Sequence, residues 1–114
     1  MLNIKKIKEK DHYILVLEGE IDASNSVELD EMIQNILEKG PSHIIVDGTA
    51  LEYISSAGLG VFMSYLEEFQ ENNIRLVIFG LTDKVHQVFV ILGLNQLIPI
   101  QSTKEEALGL IYAS

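Results

Sequence analysis

His43-Ile44-Ile45-Val46-Asp47-Gly48-Thr49-Ala50-Leu51-Glu52-Tyr53-Ile54-Ser55-Ser56-Ala57-Gly58-Leu59-Gly60 is the stretch whose reading decides the fold. Its opening run, Ile44-Ile45-Val46, is short, apolar and β-branched, the pattern of a strand covered on both faces. Its close, from Ser55 to Gly60, begins a helix whose apolar positions Leu59, Phe62, Met63, Leu66 and Phe69 recur at helical spacing. Gly48 to Ile54 reads as the loop between them. Asn72-Asn73 ends the helix, and Ile74 to Phe79 reads as the next strand. Strand, helix and strand in succession imply parallel pairing through a right-handed crossover.

The same alternation extends both ways. Toward the amino terminus, Leu2 to Lys8 reads as a strand whose lysines protect a sheet edge. Asp11 and His12 turn the chain into a second, almost wholly apolar strand, Tyr13 to Leu17, so the two form an antiparallel hairpin. A helix starts near Ser24 or Ser26, turns Leu29, Met32, Ile33, Ile36 and Leu37 inward, and stops at Gly40-Pro41. Toward the carboxyl terminus, a helix from about Thr82 places Val85, Val88, Phe89 and Leu92 inward and closes at Gly93. Leu97 to Ile100 reads as a fifth strand. Thr103 and Glu106 form a capping box for a last helix over 104–112. Val90 and Ile91 fall off the core face of the third helix: exposed, they would extend an apolar partner surface, and otherwise the terminal helix buries them through Leu108 and Ile111, the reading favoured here. The order is β-β-α-β-α-β-α-β-α, an α/β domain over residues 1–114 with a mixed, mostly parallel sheet covered by helices.

Composition narrows the function. At 114 residues the chain is one domain. With no cysteine it has no disulfide framework, thiol nucleophile or cysteine-ligated zinc. Eight basic against 17 acidic side chains give a net charge of −9, which argues against direct binding to nucleic acid or an anionic membrane. The longest apolar run, Val88 to Leu94, is far short of the roughly 18 residues of a spanning helix. Lys5, Lys6, Lys8 and Lys10 are followed by Asp11 and His12 where a signal peptide needs its apolar stretch. A cytoplasmic protein is expected.

The catalytic inventory is short. His12, His43 and His86 are far apart in sequence, none shows metal-ligand spacing, and each reads as a surface or strand-end residue. There is no GxSxG elbow and no phosphate loop, and Gly58-Leu59-Gly60 lacks the later glycine of a dinucleotide fingerprint. No catalytic residue, metal or cofactor is expected.

Polar groups do gather at one edge. The carboxyl ends of parallel strands and the amino ends of the following helices converge on one side of a sheet. Asp22, Asp47 and Ser56 are expected there, with Ser24 and Ser26 nearby. One reading is local: Ser56 caps the helix, Asp22 braces a turn and Asp47 marks a strand exit. The other is functional, since a helix amino terminus stabilises an anion such as a phosphate on Ser56. Gly58 and Gly60 are each worse helix formers than alanine by up to about 1 kcal/mol. They imply close packing either on the chain's own sheet or on a partner.

The segment Asp47 to Gly60, with its Ser55-Ser56-Ala57-Gly58-Leu59-Gly60 ending, resembles the signature of bacterial anti-sigma-factor antagonists, the STAS domain family. Gly19-Glu20-Ile21-Asp22 is similar to the family's second hallmark, a glycine-acid-apolar-aspartate turn after the second strand. The resemblance implies the STAS fold and a partner switch. Such a protein binds a sigma-inhibiting serine kinase and frees the sigma factor; phosphorylation at the start of the second helix breaks the complex, and a serine phosphatase restores it. Counting back from Gly58-Leu59-Gly60, the phosphoacceptor is Ser56, with Ser55 the alternative. Asp22, Ser24, Ser55, Ser56, Ala57, Gly58, Leu59 and Gly60 are the expected partner-binding residues, and the free chain is expected to be a monomer. Two positions depart from the family pattern: Ser55 stands where many members have aspartate, and Gly48 where an apolar residue is usual.

The rival readings are fewer in support. Similar domains bind an ATPase or a paralogue in transporter or stressosome-like complexes without a phospho-switch. Ser56 as an enzymatic nucleophile lacks a base. An anion- or nucleotide-binding module rests on the helix terminus alone.

Overall fold

A computed structural model describes residues 1–41 and 43–113. Five strands, β1 (Leu2–Glu9), β2 (His12–Ile21), β3 (His43–Ile54), β4 (Arg75–Phe79) and β5 (Ile100–Gln101), lie in one sheet in chain order. The β1–β2 pair is antiparallel and the other pairs are parallel. Among the described residues there are four α-helices: α1 (Ser26–Glu38), α2 (Ser56–Glu71), α3 (Asp83–Ile91) and α4 (Lys104–Ile111). This is the α/β order read from the sequence.

Sequential strand order decides where the helices go. Right-handed crossovers that keep adding strands on the same side place every crossover helix on the same face. Leu29, Ile33 and Ile36 of α1, Leu59, Phe62 and Phe69 of α2, and Val85 and Phe89 of α3 accordingly share one core with Leu15, Leu17, Ile44, Val46 and Ile78 of the sheet. The last helix is no crossover and returns beneath the other face. There Ala107 and Ile111 pack on Ile14, Ile45, Val77 and Phe79. The alternation along β2, with Tyr13, Leu15 and Leu17 on one side and Ile14 on the other, is why that strand reads as a continuous apolar run.

Several sequence expectations are corrected. Val90 and Ile91 are not buried by α4, which lies on the opposite face from α3; they are 46% and 74% exposed. Leu92 follows the end of α3 and is exposed rather than inward. Met63 is exposed too, and Tyr65 takes its place in the core of α2. The Tyr65 hydroxyl donates to the Asp30 carboxylate, which makes the burial tolerable. Gly48 to Ile54 is no loop but the second half of β3, with Leu51 and Ile54 buried. The fifth strand is only Ile100–Gln101, because a 3₁₀ turn occupies Leu94–Gln96 and Leu97 is exposed. His12, read as a surface or strand-end residue, does stand at a strand end, as the first residue of β2, but is buried there at 2% exposure.

Gly48 has a local reason. A Cβ there would lie 2.5 Å from Leu81 Cδ2, so the leucine side chain already fills the space an apolar side chain would take.

Candidate functional site

β2 and β3 end together: Ile21 pairs with Ile54, the last residue of each strand. Immediately beyond, the backbone N–H of Ser55 donates to Ile21 O at 2.9 Å. That single bond sets Asp22, which follows Ile21, beside Ser56, which follows Ser55. Of the groups expected to share one rim, Asp22 and Ser56 do meet at the carboxyl ends of two parallel strands.

On its first side, Asp22 opens a tight turn. The Ser24 backbone N–H and hydroxyl both donate to Asp22 Oδ1, at 2.9 and 2.5 Å. These bonds, the hydroxyl's first, hold the Asp22 carboxyl below its usual range, so it is ionised. Asn25 does work that the sequence reading did not assign to it. Its side chain accepts from the Asp22 N–H at 2.9 Å and donates to Glu20 O at 3.0 Å, fastening the turn to the end of β2. The run Asp22-Ala23-Ser24-Asn25 carried that signal, since such residues close turns on their own backbone. The helix α1 then begins at Ser26, and Ser24 lies ahead of it in the turn.

On the second side, Ser55 is the residue preceding α2 and Ser56 is its first helical residue. Ser56 is exposed. Ser55 Oγ is buried, has no hydrogen-bond partner and caps no backbone group. The expected cap by Ser56 is likewise replaced by an uncapped end. Leu59 N–H, which donates to Ser55 O at 3.0 Å, is the first of the helical ladder. The N–H groups of Ser56, Ala57 and Gly58 precede it, and no acidic residue occupies the first turn. The helix end is electropositive by construction.

Gly58 and Gly60 divide the two explanations between them. A Cβ on Gly58 would meet Ile21 Cγ2 at 2.7 Å and Ile54 Cγ1 at 2.8 Å, so this glycine lets α2 sit on its own strand ends. A Cβ on Gly60 would meet nothing within 4 Å. The fold does not require glycine there. Ala57 is half-buried and Leu59 is buried in the core, so Leu59 supports the rim from beneath.

Asp47 is not part of this rim. It pairs with Val16 and Phe79, and β3 continues for seven more residues, through Ile54, on the order of 20 Å of strand. Its carboxylate accepts from the Thr49 N–H and hydroxyl at 3.0 and 2.7 Å. His12 and His43 lie at the opposite, amino-terminal ends of β2 and β3, and His86 lies within α3. Among the described residues, no group of three or more potential ligands is placed to hold a metal ion, and no helix is long and apolar enough to cross a membrane.

Residues 3–107 match the STAS domain. The chain belongs to the STAS domain family. The anti-sigma-B factor antagonist of Listeria monocytogenes is 32% identical over 104 residues, covering 91% of each chain. An anti-sigma factor antagonist from Mycobacterium paratuberculosis superposes with a TM-score of 0.85 at 20% identity, covering 97% of this chain and 94% of that one. The Bacillus anti-sigma factor antagonist SpoIIAA, also 20% identical, superposes with TM-scores of 0.80 unphosphorylated (100% and 98% covered) and 0.71 phosphorylated (97% and 99% covered). The mixed five-stranded sheet with four helices is thus the STAS fold. These STAS relatives are anti-sigma factor antagonists.

Proposed function

We propose that this STAS protein is an anti-sigma factor antagonist that binds an anti-sigma serine kinase and is released when that kinase phosphorylates Ser56. The observation that carries the reading is the contrast between the two serines. Ser56 is exposed on an uncapped helix end, whereas the neighbouring Ser55 hydroxyl is shut off from solvent. Only one of the two hydroxyls is presented to a kinase. Asp22, Ser24, Ser55, Ser56, Ala57 and Gly60 form the docking rim, with the open side of Gly60 admitting a partner's backbone and the buried Gly58 and Leu59 holding the rim from beneath.

The switch follows from where the charge is placed. A phosphate adds about −1.5 to −2 charge at neutral pH. In the free chain it rests in water on the amino end of α2, where the dipole and the first N–H groups favour it. In a complex that covers Ser56, the same charge is desolvated and faces the ionised Asp22. Phosphorylation therefore penalises the complex and spares the fold. A serine phosphatase reverses it.

The test is phosphosite mapping by mass spectrometry after incubating the purified protein with ATP and an extract of its own cells, with Ser56→Ala alongside. Phosphate on Ser56, absent from the alanine variant, is expected. Phosphate on Ser55 would move the site. No phosphate, in an extract whose anti-sigma kinase is active, would replace the switch with a constitutive subunit that binds an ATPase or a paralogue.

A further inference from the structure

The end of the sheet remote from Ser56 carries a second polar cluster that the proposed switch does not use. His12 begins β2 directly beneath the β1–β2 turn and is buried, with two ring partners. Nδ1 lies 2.5 Å from the Tyr112 hydroxyl, at the end of α4, and Nε2 lies 3.2 Å from Glu9 Oε1. Tyr112 in turn donates its hydroxyl proton to Asp11 Oδ1 at 2.6 Å. A phenol has one proton and a carboxylate has none. With the Tyr112 proton given to Asp11, the Tyr112 oxygen can only accept from His12 Nδ1. Glu9 can only accept from Nε2. Both ring nitrogens must therefore carry hydrogen.

We infer that His12 is held as an imidazolium that latches the end of α4 to the β1–β2 hairpin, and that loss of its proton releases the latch. The surrounding charges are consistent with this. Glu9 also receives Lys104 Nζ from α4 at 3.1 Å, and that hydrogen bond leads the causes holding its carboxyl below the usual range. Burial and the neighbouring Asp11 push the Tyr112 phenol up to about 12, so it keeps the proton it gives away. Lys10 stands over the Tyr112 ring at 6.0 Å. His43, the β3 partner of His12 in register, plays the opposite part: its Nδ1 accepts from the Arg75 N–H of β4 at 3.3 Å, which requires a neutral ring. Burial holds His43 below the usual imidazole range, and its ring edges against Tyr112 at 5.9 Å. One histidine of the pair donates twice, and the other accepts.

Neutral His12 has one N–H and one lone pair. It can keep Tyr112 or Glu9 as an acceptor, but not both. The hold on α4 is therefore strongest where the ring is charged and is lost on the alkaline side. The charged and titratable groups around the latch are Glu9, Asp11, Lys10, Lys104, Tyr112, His43 and Arg75. The amino terminus lies at the other end of β1, beside Glu20.

The experiment is NMR of the whole chain with ¹⁵N-labelled histidine, read with amide exchange at Tyr112, whose N–H closes the last turn of α4 on Leu108 O. At pH 6 both His12 nitrogens are expected at imidazolium shifts. By pH 9 the Tyr112 protection factor is expected to fall about tenfold or more, the scale of one hydrogen bond to a charged group. Glu9→Gln supplies an amide that accepts from the charged ring or donates to the neutral one, so its protection is expected to be independent of pH. A neutral His12 at pH 6 would overturn the inference. So would unchanged protection at pH 9, or a Glu9→Gln variant as pH-sensitive as the parent.

Discussion

Two glycines two residues apart, on opposite sides of α2, give opposite stability predictions, and the magnitudes can be worked from the backbone. Gly60→Ala adds a Cβ with no atom within 4 Å, so only helix propensity changes. That gain is about 1 kcal/mol, or roughly 4 °C in melting temperature for a chain of this size. Gly58→Ala makes the same gain but drives its Cβ to 2.7 Å from Ile21 Cγ2 and 2.8 Å from Ile54 Cγ1. Carbon atoms prefer about 3.5–4.0 Å, so both groups must retreat by close to 1 Å. Neither has room: Ile21 and Ile54 are 0% and 1% exposed, and their branched side chains are stiff at χ1. Overpacking of this kind costs about 1–3 kcal/mol, which exceeds the propensity gain. Gly58→Ala is thus expected to melt several degrees below the parent and Gly60→Ala several above. Paired thermal and urea melts followed by circular dichroism read both, with an unchanged urea slope confirming that stability alone has moved. A Gly58→Ala protein as stable as the parent would refute the packing argument, and a destabilised Gly60→Ala would refute the open side of α2. If the open side serves a partner, Gly60→Ala is more stable and yet binds more weakly. That combination has no structural explanation within the chain alone.

Ser56→Asp is expected to leave stability within about 0.5 kcal/mol, the usual range for an exposed position, while weakening partner binding; a large stability loss with binding intact would overturn the rim assignment. Because Ser24 depresses the Asp22 carboxyl, the folded-state value lies below the unfolded one of about 3.9. That contribution is present above the unfolded value and is lost as pH falls through the folded one, so Asp22→Asn should flatten the decline of urea midpoints below about pH 4, and an unchanged acid profile would contradict it. On α3, Ile91→Ser should alter stability by no more than about 0.5 kcal/mol, whereas Phe89→Ala, 1% exposed in the main core, should cost about 3–5 kcal/mol by urea melts.

What was legible in the sequence followed simple periods. β2 and α1 announce themselves because each keeps one unbroken period along its length, 2 in the strand and 3.6 in the helix. The second half of β3 hid because its period breaks. Its register against β2 shifts twice, between Val16 and Glu18 and again between Gly19 and Glu20. Each extra residue flips the side chains that follow, so the buried residues Gly48, Leu51 and Ile54 end up three apart and read as neither strand nor helix. The rim itself was legible, since Asp22 and Ser56 were placed by element order alone. Asp47 was misplaced by the same error that shortened β3. Met63 and Tyr65 were exchanged because a hydroxyl argues against burial until Asp30, on another helix, supplies its acceptor. The His12 cluster was invisible for a similar reason: its partners Glu9 and Tyr112 are 103 residues apart in the chain, and only the return of α4 beneath the sheet brings them together.

The replacement of the family's frequent aspartate by Ser55 gains a physical meaning from the buried, unpaired hydroxyl. An aspartate at the N-cap would accept a first-turn N–H and set a fixed negative charge beside the phosphoacceptor. Ser55 does neither here, and no acidic residue in the first turn takes over. The N–H groups of Ser56, Ala57 and Gly58 precede the helical ladder without an acidic neighbour, and Asp22, across the rim, is the carboxylate that a phosphate on Ser56 would meet once a partner excludes water. The unphosphorylated helix end is thereby less satisfied, and the phosphorylated one more so, than with aspartate in place. If Ser56 is the acceptor proposed above, serine at position 55 leaves the helix end freer to hold a phosphate in the free chain, while Asp22 opposes that phosphate wherever a partner covers the rim.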